Sequence, residues 1–128
     1  MLVSAVVNLN LSQVVFLVFI LIFFLILGCF LEGASMMALT IPILLPITIE
    51  MGWDPIWFGI IYVKLIQIAC ITPPVGLNLY AMQSAAPDED FLTIAYGCVP
   101  FWILELGIIM LFFFVPELVL WLPGIMVR

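Results

Sequence analysis

In the run Ile71-Thr72-Pro73-Pro74-Val75-Gly76-Leu77-Asn78, a stretch apolar enough to enter a bilayer is interrupted by residues that cannot continue a helix. Pro73 and Pro74 have no backbone N–H and bias their predecessors away from the helical region, and Gly76 admits backbone angles closed to other residues. Carbonyls just before such a break lose their helical partners. In lipid they persist only where protein, water or a bound ion replaces those partners, so the break is a candidate cation site. Asn78 directly follows it, and its amide can accept, donate or lend an oxygen to a cation.

Three charges accompany the break in apolar surroundings: Glu32, Lys64 and Glu105. An ionisable group at membrane depth is a functional candidate by default. Lys64 lies about 13 Å of helical rise from either end of its segment, too far for its head to reach the interface, and needs a partner. Glu105 and Glu32 are the two candidates, and a structural ion pair is favoured over a proton relay, because no chain of acids and histidines accompanies it. Gln67, one turn after Lys64, reads first as an interhelical hydrogen bonder. Ser35, Thr40 and Thr48 can bond back to a carbonyl one turn earlier, a common role for membrane hydroxyls, which leaves Ser35 and Thr40 as secondary site candidates. The sequence has no His, no Gly-x-Ser-x-Gly and no phosphate loop, so no enzyme constellation emerges.

These residues must be held by membrane helices. Of 128 residues, 68% are hydrophobic and 8% charged, too apolar to cover a soluble globule. The formal charge of −6, with Lys64 and Arg128 the only basic residues, argues against nucleic acid or anionic lipid as a partner. Cys29, Cys70 and Cys98 have no metal-like spacing and read as buried thiols. Residues 1–13 read as an interfacial or linker segment and, lacking a basic start, not as a cleavable signal peptide.

Residues 14–31 are apolar throughout except for Gly28 and give roughly 27 Å of helix, a short span. Gly28, Glu32 and Gly33 lead straight into a second apolar run, 36–49, which carries Pro42 and Pro46 and is too short to span comfortably. A re-entrant hairpin over 14–49, with its tip near Glu32 and Gly33, fits better than two full spans. Gly52, Trp53, Asp54 and Pro55 mark an aqueous edge. Residues 55–86 then form a discontinuous helix broken at 72–76, and 91–122 a C-terminal transmembrane helix with an interfacial end. Arg128 hints at a cytoplasmic C-terminus.

The order Gly28-x-x-x-Glu32, Pro42-x-x-x-Pro46, Gly52-x-Asp54-Pro55, Phe58-Gly59-Ile60-Ile61 and then residues 71–78 resembles the C-terminal part of the large membrane subunit of tripartite ATP-independent periplasmic (TRAP) transporters. The likeness runs from about Val14 to the end. It implies an all-α integral membrane protein, one half of an elevator-type inverted-repeat transporter, with a re-entrant hairpin, a discontinuous helix and a scaffold transmembrane helix. It also implies sodium-coupled uptake of organic acids such as C4-dicarboxylates or sugar acids across the inner membrane of a bacterium or archaeon. The expected partners are a periplasmic substrate-binding protein, a small membrane subunit, the missing N-terminal half of the permease and the lipid bilayer.

Sodium is a hard cation suited to oxygen ligands. Its expected site joins the hairpin tip (Gly28, Gly33) to the break (Ile71, Thr72, Pro73, Gly76), with substrate at Asn78, Ser35 and Thr40 and no other cofactor. Relatives often carry glycine at Ala69 and aspartate at Glu32, so helix approach and tip geometry are points of departure. The large subunit is several times longer than this chain, which is expected to be a fragment or one piece of a split permease. Two other readings compete: a small stand-alone membrane assembly protein, and a fragment of a related dicarboxylate or citrate transporter.

Overall fold

A computed structural model describes residues 12–73 and 76–126. The expectations for residues 1–11 and for Pro74, Val75 and Arg128 lie outside the described residues. Among the described residues six helices follow one another: α1 (Gln13–Gly28), α2 (Gly33–Glu50), α3 (Pro55–Cys70), α4 (Leu77–Ala85), α5 (Phe91–Phe114) and α6 (Pro116–Met126).

Each start has a local cause. The Ser12 hydroxyl accepts from the Val15 amide at 3.3 Å and caps α1. Asp54 caps α3 more strongly, its Oδ1 accepting from Ile56 N at 2.8 Å and Trp57 N at 3.1 Å, with Pro55 pre-set at the first helical position. Between α2 and α3 the chain turns through Gly52 at φ 79°, and the Trp53 amide returns to the Thr48 carbonyl at 2.9 Å.

The division of the first 50 residues differs from expectation. α1 stops at Gly28, so it is 16 residues and about 24 Å long. α2 begins at Gly33 and continues through Pro42 and Pro46 to Glu50, giving 18 residues and about 27 Å. α2, not α1, is therefore the arm long and apolar enough to cross a membrane, together with the 24-residue α5. The early Gly33 start adds a turn that the hydropathy pattern did not reveal, and the helix continues through both prolines.

The core is built on α3, which packs against each of the other five described helices. It buries Trp57, Phe58, Ile61, Tyr62, Leu65, Ile68, Ala69 and Cys70. α1 contributes Phe16, Leu17, Ile20 and Phe24, and α2 contributes Met36, Thr40, Leu44 and Ile47. The two arms thus meet chiefly through α3 rather than along each other. At the aqueous edge Trp53 stands edge-on to Phe16, Trp57 and Phe113, joining α1, α3 and α5 in one aromatic cluster. After a kink at Val115 the chain resumes as a helix to Met126, longer and more regular than the interfacial end expected from Trp121, Leu122 and Pro123. α5 buries only Ala95 and Ile109 of its 24 residues and leaves most of its surface open. Cys29, Cys70 and Cys98 are free thiols.

Candidate functional site

The helix break and the hairpin tip are adjacent. Gly28, at the end of α1, lies so close to α3 that a methyl group on it would stand 2.6 Å from both the Ala69 Cβ and the Ala69 carbonyl oxygen. A methyl on Gly33 would meet the Ile66 side chain at 3.2 Å. Both glycines permit the close backbone approach that seats the tip on the last turns of α3. The Cys70 thiol sits beside the Gly33 amide and the Glu32 carboxylate. Glu32 itself is exposed and receives a hydrogen bond from Ser35 Oγ at 3.1 Å, so these two side chains form the outer rim of the tip.

α3 ends at Cys70, and the non-helical segment begins at Ile71, one residue before the expected break. Gly76 has φ +40°, which only glycine adopts without strain, and it carries the chain into α4. On its side-chain face, where a Cβ would stand, the Leu79 Cδ1 methyl lies 3.0 Å away, the Thr72 carbonyl oxygen 3.1 Å and the Cys70 carbonyl oxygen 3.2 Å. Two main-chain oxygens at the negative end of a half-helix therefore converge on a space that any other residue would fill. The Thr72 hydroxyl is held from two sides. It donates to the Ile68 carbonyl and accepts from Trp102 Nε1 at 2.8 Å, which leaves one of its lone pairs free. Pro73 is exposed and, with Thr72, Ala95, Cys98, Val99 and Trp102, lines an apolar cavity of about 280 Å³ between the break and α5.

Lys64 takes Glu105 rather than Glu32 as its partner. The ammonium lies 3.1 Å from Glu105 Oε1, with the side chains 26% and 15% exposed. That oxygen is screened from solvent, and the ammonium is the partner it faces. The pair forms part of the wall of an open cleft of about 430 Å³, together with Gln67, Ile71, Asn78 and three apolar side chains of α5. Asn78 is exposed there, the second residue of α4, and lines the cleft with Ile71 of the break.

Thr40 stands apart from this group. It is 2% exposed, and its hydroxyl donates to the Met36 carbonyl at 2.8 Å and lies 2.6 Å from the Tyr62 hydroxyl. It joins α2 to α3 inside the core, away from the break and the cleft. Ser35 also lines neither of them.

The residue missed on reading the sequence is Trp102. An indole three residues before Glu105 shares its helical face and lies deep in a 24-residue apolar span, far from the interface where tryptophan usually anchors. That misplaced polar N–H was the available signal. Trp57 plays a similar part, its Nε1 donating to the Phe112 carbonyl at 2.8 Å. With the Lys64–Glu105 pair, three polar contacts hold α5 against α3 and its break.

Comparison with known proteins bears directly on this architecture. Residues 1–118 match the family described as tripartite ATP-independent periplasmic transporter, DctM component. The C4-dicarboxylate TRAP transporter large permease protein DctM of Pseudomonas aeruginosa is 36% identical over 121 residues, covering 94% of this chain and 28% of that protein. The isethionate TRAP transporter permease protein DctMQ of Oleidesulfovibrio alaskensis is 31% identical, covering 94% of this chain and 19% of that protein. The sialic acid TRAP transporter large permease protein SiaM of Vibrio cholerae is 31% identical, covering 88% of this chain and 26% of that protein. The chain thus spans between 19% and 28% of the length of these relatives. With its glycine-seated hairpin, broken helix and two helices fit to span a membrane, the chain belongs to the DctM component family of TRAP transporters.

Proposed function

We propose that this chain forms the ion-binding half of a carrier in a sodium-coupled secondary transporter that imports small organic anions across the cytoplasmic membrane. The observation that carries this reading is the pair of carbonyl oxygens, Cys70 O and Thr72 O, converging on the missing Cβ of Gly76. Such oxygens suit a hard monovalent cation, and the free lone pair of the Thr72 hydroxyl is a further donor. Asn78 and the first N–H groups of α4 lie across the same break, where the positive end of a half-helix favours a carboxylate. Cation and anion would then occupy neighbouring places, as coupling requires.

In this reading the re-entrant arms α1 and α2 and the broken pair α3 and α4 move together against a scaffold supplied by the rest of the permease. The contacts of Trp102, Trp57 and Glu105 with α3 and its break favour α5 as a rider on the moving body, in place of the scaffold role first expected of it. A periplasmic binding protein delivers the anion, and a small membrane subunit and the N-terminal half of the permease complete the machine. The test is uptake of radiolabelled C4-dicarboxylate, isethionate or sialic acid into proteoliposomes holding the complete transporter and its binding protein. Accumulation driven by an inward sodium gradient and absent with potassium supports the reading. Equal uptake with either cation would reject it.

A further inference from the structure

The cleft beside the break contains more polar chemistry than a structural ion pair needs. Lys64 is the one basic side chain among the described residues, and its ammonium has three donors against one Glu105 oxygen at 3.1 Å. Gln67 and Asn78 are both exposed and line the same cleft. Facing acyl chains, an ammonium, a carboxylate and two carboxamides would each be costly, so this wall must border water, protein or a ligand. The open space of about 430 Å³ beside them exceeds what one or two waters would fill.

We propose that this cleft is a binding subsite for the anionic group of a small organic acid. Lys64 is its cation, Gln67 and Asn78 are its amide donors, and Glu105 holds the ammonium in place. The inference rests on the transport reading above. It adds that reading's missing element, a full positive charge for the substrate. The geometry favours this role over a closed ion pair because the Lys64 side chain is still 26% exposed where it lines the cleft and one Glu105 oxygen cannot occupy its three donors, which leaves hydrogen-bonding capacity toward a second oxygen anion. Ile71 lines the same cleft, which places the subsite against the carbonyls of the break. Glu105 would select against dianions that cannot keep one charge clear of it, and would favour ligands that present a hydroxyl or ammonium on that side.

The experiment uses the complete transporter in detergent and in proteoliposomes, with succinate and isethionate as anionic probes and succinamide as the neutral control. The proposal predicts that each anion raises the melting temperature in sodium and that succinamide does not. Removing both charges together, in Lys64→Gln/Glu105→Gln, avoids leaving one of them alone. That variant should lose the anion-induced shift and need at least about tenfold more anion for half-maximal uptake. Lys64→Arg should keep most of both. Should the double variant fail to assemble, Gln67→Leu decides by the same measurement, a shift reduced severalfold supporting the subsite and an unchanged shift overturning it. If the wild type shows sodium-driven uptake and the double variant keeps its shift and half-saturation, the subsite is wrong and the transport reading stands. If the wild type shows neither uptake nor shift, both fail.

Discussion

Trp102 Nε1 donates to the Thr72 hydroxyl across 2.8 Å, fixing the middle of α5 to the residue where the broken helix gives way. The same hydroxyl donates back to the Ile68 carbonyl, so Thr72 is oriented from both sides before any ligand arrives. An indole in the middle of a membrane span thereby satisfies its own N–H and sets the direction of the hydroxyl's remaining lone pair.

Replacing Trp102 by Phe keeps the ring and removes only the donor. We expect a loss of about 1 kcal/mol in stability, read by denaturation in detergent, since a single neutral hydrogen bond contributes on that scale. Because Thr72 is then held from one side alone, the sodium concentration for half-maximal uptake should also rise. A stability loss without change in sodium dependence would assign Trp102 to packing only.

Gly28→Ala tests the seating of the hairpin on α3. The added methyl would stand 2.6 Å from the Ala69 Cβ and carbonyl oxygen, a clash that forces the backbones apart. Overpacking of this kind costs about 1–3 kcal/mol. Ala69→Gly should rescue it only in part, because the Cβ contact is removed while the carbonyl contact remains. A double-mutant cycle measures this coupling, and full additivity would show that the two helices do not meet as described.

Thr40 and Tyr62 form the buried polar link between α2 and α3. Thr40→Val leaves the tyrosine hydroxyl in the core with only a long 3.5 Å approach to the Met36 carbonyl, and Tyr62→Phe leaves the threonine hydroxyl bonded to Met36 at 2.8 Å. The first change should therefore cost more, about 1–3 kcal/mol against about 1 kcal/mol for the second. Adding Tyr62→Phe to Thr40→Val should recover part of the loss, which thermal unfolding of the three variants will show.

The chain reconstituted by itself should not accumulate substrate. A carrier of the kind proposed above needs a scaffold to move against, and the chain covers at most 28% of the relatives described above. Sodium-driven uptake by liposomes holding this polypeptide alone would contradict the division of labour proposed here.

Much of this architecture was legible because punctuation residues have local physical effects. Asp54 and Pro55 mark the start of α3, and Pro73 with Gly76 bracket its break, all through backbone chemistry that needs no tertiary knowledge. Family membership was legible for the same reason, being carried by those glycines and prolines. What stayed hidden depended on which faces meet. The start of α2 at Gly33 stands against Ile66 of α3, and the choice of Glu105 over Glu32 depends on how α5 lies across α3. Trp102 drew no reading from the sequence because its partner lies 30 residues away. Thr40 was weighed as a substrate contact, yet its hydroxyl is enclosed by Met36 and Tyr62, a fact that only the packing of α2 on α3 reveals.

The central claim, that the carbonyls at the break hold the coupling sodium, is tested most directly by Gly76→Ala beside Gly52→Ala in the complete transporter. Both glycines have positive φ, so both substitutions strain the backbone, but only at Gly76 does the new methyl enter the space before Cys70 O and Thr72 O. Uptake is measured in proteoliposomes against sodium concentration, with the binding protein and substrate held saturating. The account predicts that Gly76→Ala raises the half-maximal sodium concentration at least about tenfold, a loss of about 1.4 kcal/mol of ion binding, while Gly52→Ala leaves it unchanged. An unchanged sodium dependence in a folded, transporting Gly76→Ala variant would contradict it.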